Sequence, residues 1–355
     1  MTKQFAAVPM KSIGPILIKN LELNSKTEVR VPMATFETTL WPSTARGAKL
    51  SRLCGGIDSM ILSDNMARAI AVKAPSSRYG YEVIENLKER QADIALIIQG
   101  SSRFAKFDAL TTRLIGNTLY LRLAIHPGDA SGHNMVTKSA DALMQWLLNE
   151  YQELRYLSVS SNWCTDKKVS AVNGLLGRGL HVVSELVIPR DICQKHLRTS
   201  PEQIHALHIK KNLTGSIISG GLLSANAHFA NMLLATYLAT GQDAANIVEG
   251  SQGITHVDLL ADGSLHFSVN LPNIIVGTVG NGKHHEFVTE NLTLLGCNNP
   301  EAPAGANRRR LAMIIGATVL CGELSLMAAL TNPGELIHSH IVFERDQHHT
   351  ISGNN

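Results

Sequence analysis

The chain has 355 residues, of which 44% are hydrophobic and 17% are charged, and its formal net charge is +3. This composition is ordinary for a globular protein, and the length is sufficient for two domains. The charge is small and residues 308–310 form the one basic run, so the sequence argues against nucleic-acid binding. We interpret that run as the charged start of a helix, and a phosphate contact is the less favoured alternative.

The cysteines predict a reducing compartment. There are five, scattered and without CxxC spacing, which argues against a disulfide framework and against a zinc site or other metal site. The first ten residues lack the apolar core of a signal peptide. The most apolar later run, residues 311–321, is too short to span a bilayer. We therefore expect a cytoplasmic protein that does not enter a membrane.

The hydrophobic pattern predicts alternating strands and helices in the first half of the chain. Strands at 16–18 and 29–31, joined by a polar turn, precede a helix at 43–55 that Ser43 or Thr44 would cap. A compact α/β unit then follows, with strands at 68–73, 93–98, 118–125 and 154–159 and helices at 80–91, 103–114 and 135–151. No GxGxxG motif follows a strand, so a Rossmann site is not indicated.

The second half predicts a strand at 182–188, a helix that begins at Pro201 and a long helix at 225–240. A hairpin at 254–260 and 265–271 turns at Asp262 and Gly263. The apolar stretch 307–331 predicts a core helix, and the polar tail 346–355 is expected to fray.

Residues 160–168 are the stretch most suggestive of chemistry. They follow the apolar run 156–159, which we interpret as a buried strand, and contain Asp166, Lys167 and Lys168. A solvated loop is one interpretation. The other is a loop that binds anionic groups and places one ammonium near reacting atoms. Spacing alone does not separate the two.

This stretch resembles the substrate loop of the 3-hydroxy-3-methylglutaryl-coenzyme A (HMG-CoA) reductase family, class I type. The family pattern continues, in family order and spacing, at residues 31–37, 43–47, 128–135, 226–231, 241–245, 277–282, 322–330 and 339–340. The resemblance implies an α/β (α+β) fold with a large substrate-binding domain, residues 1–69 and 160–355. It also implies an inserted, ferredoxin-like NADP(H)-binding domain at 70–159 and a homodimer or higher homo-oligomer with sites at the subunit boundary.

The activity that the resemblance implies is reduction of HMG-CoA to mevalonate and coenzyme A by two NADPH. Lys167 would stabilise the oxyanion, Glu37 would donate the proton, and Asp243 would tune both. His340 would protonate the coenzyme A thiolate. Lys167 is chosen over Lys168 by its place in the motif. Without the resemblance, Glu37 would be interpreted as a helix-start charge and Asp243 as a helix cap.

The resemblance also assigns binding residues. Arg68 and Lys211 match residues that bind the substrate carboxylate, for which a guanidinium fork is well suited. Arg46 and His228 match residues near coenzyme A. The full substrate set is Arg46, Arg68, Ser160, Asn162, Lys168, Lys211, His228 and Asn231.

The cofactor set is Ser102, Arg103, Phe104, Asp129, Asn134 and Gly280. Ser102 and Arg103 stand at the predicted start of the helix at 103–114, where a helix N-terminus and a guanidinium would bind the adenosine 2′-phosphate. This match favours NADPH over NADH.

Several positions depart from the family pattern. Residues 3–7 lack the expected Glu-Asn-hydrophobic-Ile-Gly motif, and Phe36, Ser131, His133 and Asn281 replace other residue types. Two alternatives to the reductase therefore stay open: a diverged enzyme that reduces another acyl-CoA thioester, and a non-catalytic acyl-CoA- or dinucleotide-binding protein. The retained carboxylate anchors disfavour the first, and the retained catalytic quartet disfavours the second.

Overall fold

The structure is a computed structural model that describes residues 6–20 and 25–342. Most of the departing N-terminal motif, part of the predicted turn before Ser25, and the predicted fraying tail lie outside these residues. The strands are β1 (Met10–Asn20), β2 (Ser25–Ala34), β3 (Ile57–Lys73), β4 (Lys106–Ile115), β5 (Thr118–His126), β6 (Arg155–Ser158), β7 (Gly179–Ile188), β8 (Ile254–Leu259) and β9 (Leu265–Ile274).

The longer helices are α1 (Leu40–Leu53), α2 (Ser77–Glu89), α3 (Gln91–Ser101), α4 (His133–Glu150), α7 (Pro201–Leu207), α9 (Phe229–Ala239), α11 (Glu286–Leu294) and α12 (Ala306–Leu330). The short ones are α5 (Ala171–Leu176), α6 (Arg190–Ile192), α8 (Ser216–Ile218), α10 (Ile247–Gly250) and α13 (Glu335–His340). Cys193–Leu197 and His208–Gly215 are π-helical, and Ala244–Asn246 is a 3₁₀ turn.

Strand β3 connects two sheets. Its first part lies in a sheet of order β2-β1-β3-β7-β9-β8, in which β1 and β3 are parallel and the other neighbours are antiparallel. Its second part, from Met66, lies in an antiparallel sheet of order β4-β5-β3-β6. With α2 and α3 before β4, and α4 before β6, this is the predicted ferredoxin-like plan. The predicted domain limit at residues 69–70 falls inside β3.

Two predicted elements in the ferredoxin-like unit are wrong. Residues 93–98 are helical, because Ile94 and Ile98 are buried at a spacing of four while Leu96 is exposed. Residues 106–115 are a strand, not a helix. They form a hairpin with β5 through a two-residue turn at Gly116 and Asn117, a turn signal that the prediction missed.

The expected cofactor site at Ser102 and Arg103 therefore lacks the helix N-terminus that was predicted to bind the phosphate group. Ser102 follows the last residue of α3 and is its C-terminal cap. A helix C-terminus carries a partial negative charge, so it does not attract a phosphate group. Arg103 and Phe104 lie in the exposed link to β4, where the guanidinium stacks 4.6 Å from the ring centroid of Phe104.

The large sheet packs against a core built on α12. This helix is long and apolar enough to cross a membrane, but 94% of its most apolar window is buried in the protein, as predicted for a core helix. Helix α1 packs against it so closely that a Cβ at Gly47 would lie 2.2 Å from the carbonyl oxygen of Cys321. The basic run 308–310 opens α12, and Arg308 is fully buried, which confirms the helix-start interpretation.

The starts of two helices differ from the predicted ones. Helix α1 begins at Leu40, and neither Ser43 nor Thr44 is its cap; Pro42 occupies its first turn, where a missing N–H costs little. Helix α9 begins at Phe229, with His228 at the N-cap position. The predicted hairpin at Asp262 and Gly263 is confirmed.

Candidate functional site

The loop 160–168 has a conformation that its residue types do not favour. Asn162, Thr165 and Lys167 have φ angles of 64°, 42° and 56°, in the left-handed region. This region costs a non-glycine residue roughly 1 kcal/mol or more. Contacts with residues outside it hold the loop: for example, Asn173 donates to the carbonyl of Thr165 at 2.8 Å, and the N–H of Lys167 donates to Glu249 at 3.2 Å. Tertiary structure, not local preference, therefore determines where Lys167 lies.

A buried charge network supports this loop. Arg178 is fully buried, and its Nη1 donates to Asp166 at 3.0 Å and to Glu249 at 3.1 Å. Its Nε donates to the carbonyl of Ala67 at 3.2 Å. Burial raises the pKa of the Glu249 carboxyl, and Arg178 opposes that rise. The sequence analysis missed both Arg178 and Glu249, because an arginine between two glycines and a glutamate in a short apolar segment give no pattern.

Lys167 and Asp243 form an ion pair of 2.9 Å between Nζ and Oδ2. The hydrogen bond to Asp243 raises the pKa of Lys167 above its ordinary value. Partial burial acts to raise the pKa of Asp243, but the hydrogen bonds from Lys167 and from the N–H of Ala245 outweigh it, so that pKa is lowered. Both groups are therefore charged at neutral pH.

The pair lies in a cleft of about 530 Å³, which we call the Lys167 cleft. It is lined by, among others, Arg68, His133, Asn134, Lys167, Asp243, Gly280 and Lys283. One wall is the first turn of α4. Another is the crossing of loops 128–132 and 277–282, where Thr278 donates to the carbonyl of Asp129 at 2.8 Å. A Cβ at Gly277 would lie 2.4 Å from the backbone nitrogen of Ser131, so only glycine permits this crossing.

Two further ionisable groups in this cleft were not predicted as site residues. Burial, and then Arg178, lower the pKa of His133 to about 4, and its Nε2 lies 3.7 Å from Asp166. Burial lowers the pKa of Lys283 to about 8, and its ammonium donates to the carbonyl of Gly241. At neutral pH the cleft thus contains a neutral imidazole and a lysine that is still mostly protonated.

The carboxylate of Asp129, predicted to contact the cofactor, is instead hydrogen-bonded to the backbone of the chain itself. Its two carboxylate oxygens accept from the N–H groups of Gly305 at 2.9 Å and Arg308 at 3.1 Å. The carboxylate therefore caps the start of α12, where the helix dipole favours a negative charge. Of the predicted cofactor residues, Asn134 and Gly280 line the Lys167 cleft, whereas Ser102, Arg103, Phe104 and Asp129 do not.

A second cleft, of about 380 Å³, lies between α1, α9, α12 and α13, and we call it the Glu37 cleft. Its lining includes Glu37, Ser43, Arg46, His228, Asn231, Ser325, Glu335 and His340. The amide of Asn231 donates to Glu37 Oε2 at 3.0 Å. His228 is fixed by a 2.9 Å hydrogen bond between Nε2 and the carbonyl of Gly322. Its ring is held in place, so it faces the cleft in one orientation.

Arg46 connects this cleft to α13. Its Nη1 lies 2.6 Å from Glu335, and its Nε donates to Ser325 at 3.0 Å. The guanidinium predicted to approach coenzyme A is therefore already neutralised by a carboxylate of the chain. This pair also anchors the helix that ends at His340.

The predicted catalytic quartet is divided between the two clefts. Lys167 and Asp243 lie in one, and Glu37 and His340 lie in the other. Within the described part of the chain, no hydrogen bond or ion pair joins Glu37 to Lys167 or Asp243. Lys211 is exposed on the π-helical segment His208–Gly215 and lines neither cleft.

The other predicted substrate residues surround the loop. Arg68 donates to Ser160 at 3.2 Å and lies 3.9 Å from Asp166. Lys168 donates to the carbonyl of Asp166 at 3.1 Å, and Asn162 is exposed. Arg68 and Ser160 thus present a guanidinium and a hydroxyl next to the Lys167 cleft, a combination that can bind a carboxylate.

The chain is similar to known proteins over nearly its whole length. A family model described as hydroxymethylglutaryl-coenzyme A reductase matches residues 5–345. 3-Hydroxy-3-methylglutaryl-coenzyme A reductase 2 of Gossypium hirsutum is 40% identical over 345 residues, which are 96% of this chain and 54% of that protein. The enzyme of Pyrococcus abyssi is 40% identical over 328 residues, 91% of this chain and 79% of that protein.

The fold also matches a solved structure. The matched structure is that of the class II 3-hydroxy-3-methylglutaryl-CoA reductase from Streptococcus pneumoniae, bound to NADPH in open conformations. The match has a TM-score of 0.73 and 19% sequence identity, and it covers 92% of this chain and 86% of that one. The chain spans 54–64% of the length of the cotton and rice relatives that it matches. The family match over nearly the whole chain shows that this protein belongs to the hydroxymethylglutaryl-coenzyme A reductase family.

Proposed function

We propose that the chain is an NADPH-dependent reductase that converts HMG-CoA to mevalonate and coenzyme A in two hydride transfers. The observation that carries the proposal is the 2.9 Å ion pair between Lys167 and Asp243. Lys167 lies on a loop that buried charges hold in a strained conformation. Strain that tertiary contacts maintain is typical of functional sites. The pair points into a cleft with a helix start and a glycine crossing, features suited to a dinucleotide.

The chemistry assigned to Lys167 follows from its surroundings. Each hydride transfer to a thioester or hemithioacetal places negative charge on the carbonyl oxygen, which a fixed ammonium stabilises. The raised pKa keeps Lys167 protonated, so it acts as an electrostatic stabiliser and holds its proton until the oxyanion forms. Asp243 positions the ammonium, and Asn231 positions Glu37, the proposed proton donor.

We propose that two copies of the chain are needed for a complete site. The division of the quartet between two clefts supports this, since among the described residues no hydrogen bond or ion pair joins Glu37 to Lys167 or Asp243. Lys211 also supports a site shared by two copies, because it is exposed and lines neither cleft of its own chain. Its neighbourhood exposes large apolar side chains, with Ile217 and Ile218 about four-fifths exposed, as is typical of a surface that another subunit covers.

The remaining parts of the proposal rest on family membership and on the sequence. The cofactor is NADPH, the molecule bound in the matched S. pneumoniae structure. His340 protonates the departing thiolate of coenzyme A from the end of α13, where it faces the same cleft as Glu37 and His228. The reaction takes place in the cytoplasm and supplies mevalonate for isoprenoid synthesis.

The direct test measures loss of NADPH absorbance with purified protein and HMG-CoA. We expect two NADPH to be consumed for each thiol released, with much slower turnover when NADH or acetyl-CoA replaces the cofactor or the substrate. Turnover of acetyl-CoA in preference to HMG-CoA would assign the chain to another thioester. A folded oligomer that binds NADPH without turnover would make it a binding protein.

The shared-site proposal has a separate test, in which two inactive variants are mixed. Glu37→Ala and Lys167→Ala are denatured together in equal amounts and refolded. If each site takes Glu37 from one chain and Lys167 from the other, half of the dimers contain one intact site, and activity returns to about a quarter of wild type. A mixture that stays as inactive as its components would place both residues in the same protomer's site.

A further inference from the structure

A cluster of histidine and carboxylate side chains lies on the large sheet, away from both clefts. His256 and Asp258 are on β8, His266 is on β9 and Glu185 is on β7. None of the four lines the Glu37 cleft or the Lys167 cleft. The proposed reductase chemistry does not use them.

Strand register places these side chains on one face of the sheet. Asp258 is directly opposite His266, while His256 and Glu185 are both opposite Ser268, two residues further along β9. Because side chains alternate along a strand, all four point to the same side. The alternate residues, such as Val257 and Phe267, are buried in the core on the other side. The backbone beneath the cluster is therefore fixed by core packing.

The donor atoms are already close together. The ligand atoms of His256, Asp258 and His266 all lie within 4.8 Å of one another. His256 Nε2 lies 2.8 Å from Asp258 Oδ2, and His266 Nε2 lies 3.2 Å from Glu185 Oε2. Zinc–nitrogen and zinc–oxygen distances near 2.1 Å put two donors of one tetrahedral ion about 3.4 Å apart. The side chains of His256 and Asp258 are each 56% exposed, so they can close the remaining gap without disturbing the core.

The chemistry of the donors selects the ion. Imidazole nitrogens favour zinc and its neighbours in the transition series, whereas magnesium and calcium prefer sites made of oxygen alone. Two carboxylates offset the charge of a divalent ion. The hydrogen bond to Glu185 gives His266 the partner that metal-binding histidines usually have, a carboxylate that fixes the tautomer and the ring.

We propose that His256, Asp258 and His266 form a binding site for a divalent transition-metal ion, with zinc the ion that fits best, and that Glu185 orients His266. The sequence had argued against a metal site because it lacks CxxC spacing. The strand register brings His266 next to His256 and Asp258, which lie 10 and 8 positions before it in the chain. Three protein ligands leave one position open to water, and the ion links β8 to β9.

The test is a calorimetric titration of the chelator-treated full-length protein with zinc. We expect one saturable site per chain, and binding at least about 10-fold weaker in His256→Ala and in His266→Asn. Glu185→Gln should weaken binding by about 10- to 100-fold, as loss of an orienting carboxylate does elsewhere. The matched control is His126→Ala, which removes another half-exposed histidine paired with a carboxylate, Asp108, and should titrate as wild type.

Two outcomes would overturn the proposal. One is a wild-type titration without a saturable site, or one that His256→Ala and His266→Asn leave unchanged. The other comes from cobalt, whose visible spectrum reports its ligands and needs no variant. A nitrogen and oxygen set gives ligand-field bands alone, whereas a thiolate-to-cobalt charge-transfer band would assign the metal to the cysteines. Zinc should also raise the unfolding temperature of the wild type but not of His256→Ala.

Discussion

The two clefts differ in what holds their central residue. Lys167 lies on a strained loop, paired with Asp243 and supported by the buried Arg178 and Glu249. Glu37 lies on an exposed bend before α1, where its carboxylate accepts one side-chain hydrogen bond, from Asn231, and the preceding Phe36 is 73% exposed. The first group is fixed by the fold of a single chain, and the second is left open toward solvent.

This difference indicates a division of roles. A fixed ammonium suits electrostatic stabilisation, because it needs no reorganisation during the reaction. The site around an exposed proton donor needs further groups from another surface. In our proposal, a second copy of the chain provides them. Changes in the Lys167 cleft should therefore affect both chemistry and folding, whereas changes in the Glu37 cleft should affect chemistry with little effect on folding.

The largest expected effect comes from Lys167→Ala. Loss of the ammonium that stabilises the oxyanion should lower kcat by about 10³-fold or more. NADPH binding, measured by fluorescence titration, should stay close to wild type. Lys168→Ala is the matched control: its ammonium donates to the loop carbonyl of Asp166, so we expect a higher KM with kcat largely kept. Wild-type turnover by Lys167→Ala would refute the assignment.

The support beneath the loop can be broken with Arg178→Met. This change leaves Glu249 buried without its cation, which should lower the free energy of unfolding by about 3–5 kcal/mol in a urea titration. Arg190→Met removes an arginine from an exposed pair with Glu202, whose side chains are 44% and 49% exposed, and should lower the free energy of unfolding far less than Arg178→Met. Equal losses in the two variants would show that the buried network does not determine the position of the loop.

The Lys167 cleft should also respond to acid through His133. Its folded pKa of about 4 lies below the ordinary 6.5, so the unfolded chain binds more protons between these values. Stability therefore rises with pH through this window and is lost as pH falls from 6.5 to 4, by up to about 3 kcal/mol.

His133→Leu should flatten that decline in unfolding measurements across the same pH range. Part of it should persist, because burial also lowers the pKa of His208 to about 4. A variant His133→Leu that loses stability with acid as steeply as the wild type would contradict this account.

The smallest expected effect on folding is that of Asn231→Ala in the Glu37 cleft. The variant loses the amide's hydrogen bonds to Glu37 at 3.0 Å and to His228 Nδ1 at 3.4 Å, and each loss should change the free energy of unfolding by about 1 kcal/mol or less. Activity should fall further, since Glu37 loses the amide that positions it. A stability loss as large as that of Arg178→Met would abolish the contrast between the clefts.

Local patterns predicted most elements correctly. The core helix and the hairpin at Asp262 came from periodicity and turn residues. The last strand of the ferredoxin-like unit was also predicted, but it is not buried as expected, since Tyr156 and Leu157 are 55% and 46% exposed. The exchange of helix and strand between residues 91 and 115 has a physical reason. The apolar run 94–98 satisfies both periods, and only its packing, with Leu96 exposed, shows which one applies.

The sequence by itself determined the family and the α+β class, because the family motifs occur along the chain in family order and at family spacing. Tertiary structure alone decided what holds Lys167 in place and what Asp129 binds. Arg178 and Glu249 are 71 positions apart, and Asp129 caps a helix that starts 177 positions later, so no local pattern connects them. The division of the quartet between two clefts was likewise decided by the tertiary structure. The order of the motifs along the chain does not tell how far apart their residues lie in space.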